Sequence, residues 1–418
     1  MHCGISMQAS GRGHKVAVLD TIHGAKTIAQ RMVDSGIEAE ALEVYHHEPS
    51  IFDYDLIVSP VHLPPTNPVL VEARRQKKSV ITHHQAVGEL LGPTIQEDLE
   101  VFEVTGTHSK TSTALLLARM LSGQKKVISH TTRGLEIWNS GKASVLQTGL
   151  SITPGNVIPA ADAAKARGAD ALICEISLGG TGLADWGVLT SFSGDYRVAK
   201  GTKWASTAKL QMLSLAKRGA RLVANTDVRV CADLSFGMDG HVQAKPDKLI
   251  FGRQELPLSL GEDLDFPGYA TALAAAAATA HASGIPLDEI ARALQDFDGF
   301  SGRMKVLRQP GLKIYDSSNS GLKVGDVNRA LDLASGPKLG LVVGEESETV
   351  CEGMDIPALL DLLRQRRAEL DLLVLVGERL APWADGLGAM HARDLAAGQE
   401  QAMSCPVERL LLCVKCFR

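Results

Sequence analysis

The stretch VFEVTGTHSKTSTALLLARML, residues 101–121, reads as a buried strand, a phosphate-sized turn and a helix in immediate succession. Val101, Phe102 and Val104 have strand character, residues 105–110 form a small-residue turn closed by a lysine, and residues 114–121 are a run of helix formers. A triphosphate needs backbone N–H groups converging at a helix N-terminus, an ammonium to span the outer phosphates and a hydroxyl to hold a magnesium ion. Gly106, Lys110 and Thr111 can supply these in order, with Thr105, Thr107, His108, Ser109 and Ser112 completing the wall of a triphosphate site. A strict GxxxxGK[ST] pattern fails, because Val104 and Ser109 stand where its glycines belong. A left-handed backbone at Ser109 would cost about 1 kcal/mol. The plainer reading, a hydroxyl-rich helix N-cap, leaves the preceding strand without a purpose.

At 418 residues the chain is too long for one core and suits two or three domains. Its 45% hydrophobic and 22% charged residues are those of a globular protein, and a net charge of −5 offers no general attraction to nucleic acid or anionic membrane. An anionic ligand therefore needs a local site. No run reaches the roughly 18 apolar residues of a membrane span and no signal-peptide segment opens the chain, so a cytoplasmic protein is expected. The seven cysteines are odd in number and scattered, which argues against a disulfide framework. Cys413 and Cys416 alone have CxxC spacing, and with no second pair they read as ordinary residues of a terminal strand.

Outward from the phosphate turn, residues 1–13 lack apolar periodicity and are expected to be a flexible tail. Residues 14–98 alternate short apolar strands with amphipathic helices, a small parallel α/β domain. His23, His62, His83 and His84 each follow an expected strand, at the carboxyl ends that line a ligand crevice in an open parallel sheet. Their spacing is not that of a metal site, which leaves substrate contact or ordinary polar loop positions. Residues 99–298 form the central domain. There ADALICEIS, residues 169–177, delivers Glu175 in an apolar strand, where a carboxylate is costly unless a cation meets it. Mg²⁺ shared with Thr111 would do so. The alanine-rich segment 267–284 reads as a closely packed scaffold helix, and residues 299–418 bring a further α/β pattern.

TGTHSKTST resembles the TGTNGKTTT phosphate loop of the Mur ligase family, which joins carboxylates to nucleophiles using ATP. That resemblance implies a three-domain α/β architecture, with a Rossmann-like N-terminal domain, a central P-loop ATPase domain and a Rossmann-like C-terminal domain. It implies that Glu175 binds the metal, that Asn225 and Asp227 of the NTD turn contact base or ribose, and that Arg303 of GFSGR reaches the ATP phosphates. Asp316, at the head of DSSNS, would contact the nucleotide, and Ser317, Asn319 and Lys323 would face the substrate. Lys209 matches a lysine that is often carbamylated in the family and holds a second metal, although its usual companion histidine after Asp195 is here Tyr196. The phrases HGAKTIAQ (23–30) and EISLGGTGLADWGVLT (175–190) are similar to Mur-like cyclases that close the last carbocyclic ring of a nickel seco-tetrapyrrole acid. Such an enzyme activates a propionate carboxylate as an acyl phosphate and lets a carbon of the same small molecule attack it. The glycine-rich residues 178–182 would let backbone approach that flat ligand. An ordinary carboxylate–amine ligase and a nucleotide-binding module without ligase chemistry are the other readings.

Overall fold

The structure, a computed structural model, describes residues 14–346 and 353–417, so the expected tail lies outside the described residues. The first strands are β1 (Lys15–Leu19), β2 (Glu38–Leu42), β3 (Leu56–Ser59) and β4 (Ser79–Thr82), all parallel in the order β2-β1-β3-β4. Helices α1 (Ala25–Asp34), α2 (Pro68–Arg75) and α3 (His83–Leu91) alternate with them. Asn67 and Thr82 start α2 and α3 by accepting the backbone N–H of Val69 and Gln85.

The second sheet has eleven strands. Its core contains β5 (Glu100–Thr105), which leads through the phosphate turn into α4 (Lys110–Leu121). Then come β6 (Val127–Thr131), β7 (Gly134–Asn139), β8 (Lys142–Gln147), α5 (Val157–Arg167), β9 (Ala171–Glu175) and β10 (Trp186–Leu189). A hairpin of two-residue strands, β11 (Arg197–Val198) and β12 (Lys203–Trp204), precedes α6 (Ala205–Lys209) and α7 (Gln211–Leu215). The sheet continues with β13 (Arg221–Asn225), β14 (Leu234–Phe236), β15 (Val242–Lys245), β16 (Lys248–Phe251) and β17 (Gln254–Pro257), in the order β17-β16-β15-β14-β13-β10-β5-β9-β6-β7-β8. Its middle is parallel and its outer ribbons antiparallel, and central β5 is buried on both faces along Val101–Thr105, with Glu103 the one charged residue in that run. Helix α8 (Phe266–Ala282) carries Ala272 and Ala274–Ala278 at or near zero exposure, which fits the scaffold expected of an alanine-rich helix. Helix α9 (Leu287–Leu294) follows it.

The third sheet runs β18-β19-β23-β20-β21-β22, from β18 (Lys305–Gln309), β19 (Leu312–Asp316), β20 (Leu339–Glu345), β21 (Leu372–Val376), β22 (Met390–Ala392) and β23 (Arg409–Lys415). Helices α10 (Val324–Ala334), α11 (Ile356–Arg366), α12 (Ala384–Leu387) and α13 (Leu395–Met403) connect these strands. Cys413 lies in β23, and Cys413 and Cys416 are both buried thiols.

By packing, the chain divides into two compact units: residues 1–258 with 270–293, and residues 259–269 with 294–418. The expected boundary at residue 98 is not a break in packing, because the first two sheets share one apolar cluster. Val16, Ile28 and Leu90 meet Val101, Val157 and Leu172 there. Residues 259–269, expected in the central domain, belong to the second unit, where Asp265 pairs with Arg329 and the Tyr269 hydroxyl accepts the Phe300 N–H.

Candidate active site

Strand register brings the chemistry to the end of β5. Val104 pairs with Glu175 of β9 and Leu189 of β10 pairs with Thr105, so the exits of both neighbours flank the phosphate turn. Gly106 sits at φ 152, and a Cβ there would come within 2.0 Å of Thr190 Oγ1. Only glycine fits. Ser109 adopts φ 61, so the strained left-handed backbone is present without glycine, immediately before Lys110 opens α4. The turn is braced from outside: Thr107 Oγ1 donates to Ser191 O and Ser193 O at 3.0 and 2.7 Å, and Thr190 Oγ1 donates to His108 O.

Next to the turn, Thr111 Oγ1 donates to both oxygens of Glu175, at 2.8 and 3.0 Å, and the Thr132 N–H donates to the same carboxylate at 3.2 Å. Thr111 and Glu175 are 4% and 1% exposed. A hydroxyl and a carboxylate converging at a helix N-terminus form a hard-oxygen set that suits Mg²⁺. Lys110 and Ser109 are half-buried, His108 is exposed, and Thr105, Gly106, Thr107 and Ser112 are buried.

The NTD turn does structural work here. Asn225 Nδ2 donates to Thr190 O at 2.9 Å, and Asp227 accepts from Ser191 Oγ and from the N–H groups of Phe192 and Ser193. These two residues hold the β10 exit that braces the phosphate turn. Asp195 receives the N–H groups of Tyr196 and Ser206, fixing the start of α6. Lys209 ends α6 at 0% exposure, so it is not a solvated lysine on a helix face.

Of the four histidines, His83 and His84 depart from their expected place. Both lie in the first turn of α3, buried, with Nε2 on Leu19 O at 2.9 Å and Ser177 O at 2.8 Å. Burial pushes their pKa values down to about 3 and about 4, so they are neutral struts. His84 thereby ties the first sheet to the residues just after Glu175, as does Thr82 through Gln211 at 3.1 Å. Val61 joins the same junction, in a cluster with Leu178, Val198 and Ala208.

The glycine-rich residues 178–182 are likewise committed to packing. Added Cβ atoms would lie 2.5 Å from Gln211 at Gly179, 2.6 Å from Glu103 at Gly180 and 2.4 Å from Leu215 O at Gly182. The expected close approach is therefore made by the protein's own chain and not by a flat ligand. Glu103, buried in β5 and holding Thr181, has its pKa raised by that burial.

His23 and His62 remain partly exposed and meet Asp20, which sequence reading passed over. Asp20 Oδ2 lies 2.6 Å from His23 Nδ1, 3.2 Å from His62 Nε2 and 3.1 Å from the Tyr45 hydroxyl. Burial would raise the Asp20 pKa, but the bonds from His23 and His62, the His23 charge and the Ile22 N–H outweigh it and hold the carboxyl well below its usual range. Spacing concealed the group, since His62 is 42 positions from Asp20. The available signal was an aspartate closing an apolar strand, as Glu175 does.

In the second unit Asp316, 2% exposed, accepts the Gly302 N–H at 2.8 Å and the Ser301 hydroxyl at 3.2 Å. Asn319 Nδ2 donates to Gly302 O at 3.0 Å, so DSSNS and the turn that carries half-buried Arg303 form one assembly. Ser317 is buried with its N–H on Leu412 O, and the Lys323 N–H meets Asp326 at the start of α10.

Comparison with known proteins bears on the family and the fold. Residues 306–416 match the family model for the C-terminal domain of coenzyme F430 synthetase CfbE. The chain is 33% identical to the coenzyme F(430) synthetase of Methanosarcina acetivorans, over 97% of this chain and 99% of that one. Among solved structures, MurF from Acinetobacter baumannii matches with a TM-score of 0.55 at 16% identity, covering 81% of this chain and 78% of that one. The folylpolyglutamate synthase/dihydrofolate synthase of Yersinia pestis, complexed with AMPPNP and Mn ion, matches with a TM-score of 0.56 at 18% identity, covering 80% and 90%. At these identities the two structures speak for the fold, which is that of the Mur ligases. Among the described residues no helix is long and apolar enough to cross a membrane.

Proposed function

The chain belongs to the coenzyme F430 synthetase family, and on that premise we propose that it is a cytoplasmic, ATP-dependent cyclase acting on a nickel seco-tetrapyrrole acid. In this reading a propionate carboxylate of the substrate takes the γ-phosphoryl group of ATP and ADP is released. A neighbouring carbon of the same molecule then attacks the acyl phosphate, inorganic phosphate leaves, and the attacking carbon loses its proton. Residues 14–98 serve the substrate, residues 99–258 with 270–293 serve the nucleotide, and residues 259–269 with 294–418 form the C-terminal domain.

The observation that carries the reading is the Thr111–Glu175 pair, held at 2.8–3.0 Å beside Lys110 at the mouth of the phosphate turn. Lys110, at the N-terminus of α4, neutralises the transferring phosphoryl group. Thr111 and Glu175 would hold Mg²⁺, which supplies charge neutralisation on the phosphate oxygens when bound. We assign Arg303 as a second phosphate cation, Asp316, Asn225 and Asp227 to the nucleotide, and Lys209 as the catalytic lysine that the Mur ligase resemblance implies. Ser317, Asn319, Lys323, His23 and His62 are assigned to the substrate, while His83 and His84 position the first sheet.

Release of ADP, followed with the seco-acid alone and with candidate amines, tests the reading. Turnover that needs only ATP, Mg²⁺ and the seco-acid supports ring closure. Turnover that appears only on adding an amine assigns the protein to carboxylate–amine ligation instead.

A further inference from the structure

Three adjacent strands of the first sheet send polar side chains to one point. Asp20 and His23 follow β1, Tyr45 follows β2 and His62 follows β3. In the order β2-β1-β3-β4 the chain leaves β1 for β2 on one side and later returns to β3 on the other. The gap between β1 and β3 is therefore the topological switch point, where open parallel sheets bind ligands beyond their carboxyl ends. This placement is independent of the side-chain geometry, and both indicate the same spot.

From these two observations we propose that Asp20, His23 and His62 form a binding site for a divalent transition-metal ion, with the Tyr45 hydroxyl beside it. The three ligand atoms lie within 4.8 Å of one another. Tetrahedral bonds of about 2.0–2.1 Å place donor atoms roughly 3.3 Å apart. The observed separations from Asp20 Oδ2, 2.6 Å to His23 Nδ1 and 3.2 Å to His62 Nε2, need only small outward shifts to accept an ion. Tyr45 Oη is 3.0 Å from His62 Nε2, close enough to serve as a fourth donor or to bond a metal-bound water.

The site is closed below and open above. Asp20 is fully buried, and its second oxygen is fixed by the N–H groups of Ile22 and His23 at 2.9 and 3.3 Å. The His23 and His62 side chains are 17% and 29% exposed, so an ion has a route in and a coordination position facing solvent. Two imidazoles and one carboxylate favour Zn²⁺, Ni²⁺ or Co²⁺ over Mg²⁺, which prefers all-oxygen shells. The open position suits a carboxylate of an acidic ligand. The proposal does not depend on the cyclase reading, because it concerns metal binding without turnover.

Cobalt reports it directly. Full-length protein stripped with a chelator, then held in excess Mg²⁺ to fill the oxygen site, is titrated with Co²⁺ while visible absorbance and heat are recorded. We expect one Co²⁺ per chain with a ligand-field band of low coordination number. His62→Ala and His23→Ala, checked for folding by circular dichroism, should each weaken binding at least tenfold, and Glu175→Gln should leave it unchanged. Absence of a cobalt spectrum, or an unaltered titration in both folded histidine variants, would overturn the proposal and leave the cluster as a hydrogen-bonded strut.

Discussion

Lys110→Ala should lower ATP-dependent turnover by about 10²–10³-fold or more, because it removes a preorganised charge from a transferring phosphoryl group. The variant should keep its thermal transition, since Lys110 is a half-buried residue at a helix start. ADP release at wild-type rate by a folded variant would remove the phosphate turn from the mechanism. Glu175→Gln asks a different question. The amide keeps the shape and can still accept from Thr111, but it is no longer an anion, so the Mg²⁺ concentration needed for half-maximal activity should rise steeply while stability falls by only about 1–2 kcal/mol. An unchanged Mg²⁺ curve would make Glu175 a structural residue. The positions of both residues were legible in the sequence because each sits at an element boundary: Lys110 at the start of a helix, Glu175 at the end of a strand. Ser109 was legible as a problem, and its φ of 61 shows the backbone accepting the strain.

Elements explain what sequence reading missed. The brace formed by Thr190, Ser191 and Asp227 joins strands far apart in sequence, and no local spacing marks it. Histidines after strands suggested a ligand crevice, yet α3 begins at His83, so helix geometry turns His83 and His84 inward. Their burial has a measurable consequence. Burial lowers His83 to a pKa of about 3 and His84 and His130 to about 4, against about 6.5 in an unfolded chain. Between those values the unfolded state binds more protons, so the contribution is complete above pH 6.5 and is lost as pH falls toward 4. Each group contributes a slope of at most about 1.4 kcal/mol per pH unit. Glu103 and Glu136, raised by burial, act in the opposite sense, so the informative quantity is a difference between variants. Urea midpoints measured from pH 7 to pH 4.5 should decline, and His130→Gln should make the decline shallower. Equal slopes would show that His130 carries its proton in the folded protein.

At the scale of the whole molecule, the alternation of strands and helices and the phosphate turn were enough to give an α/β nucleotide-binding fold. The division between units was less legible. The first two sheets share an apolar core, and residues 259–269 cross to the second unit through Asp265–Arg329 and Tyr269–Phe300, pairings no composition shift announces. What the molecule does with its activated carboxylate depends on the acceptor, and the account holds that acceptor and carboxylate belong to one molecule. The direct measurement is mass spectrometry of the tetrapyrrole after incubation of purified protein with the nickel seco-acid, ATP and Mg²⁺, with ADP quantified in parallel. The account predicts loss of one water from the tetrapyrrole and one ADP per product, with no amine required. An amine adduct as the sole product, or ADP formed equally fast without tetrapyrrole, would contradict it.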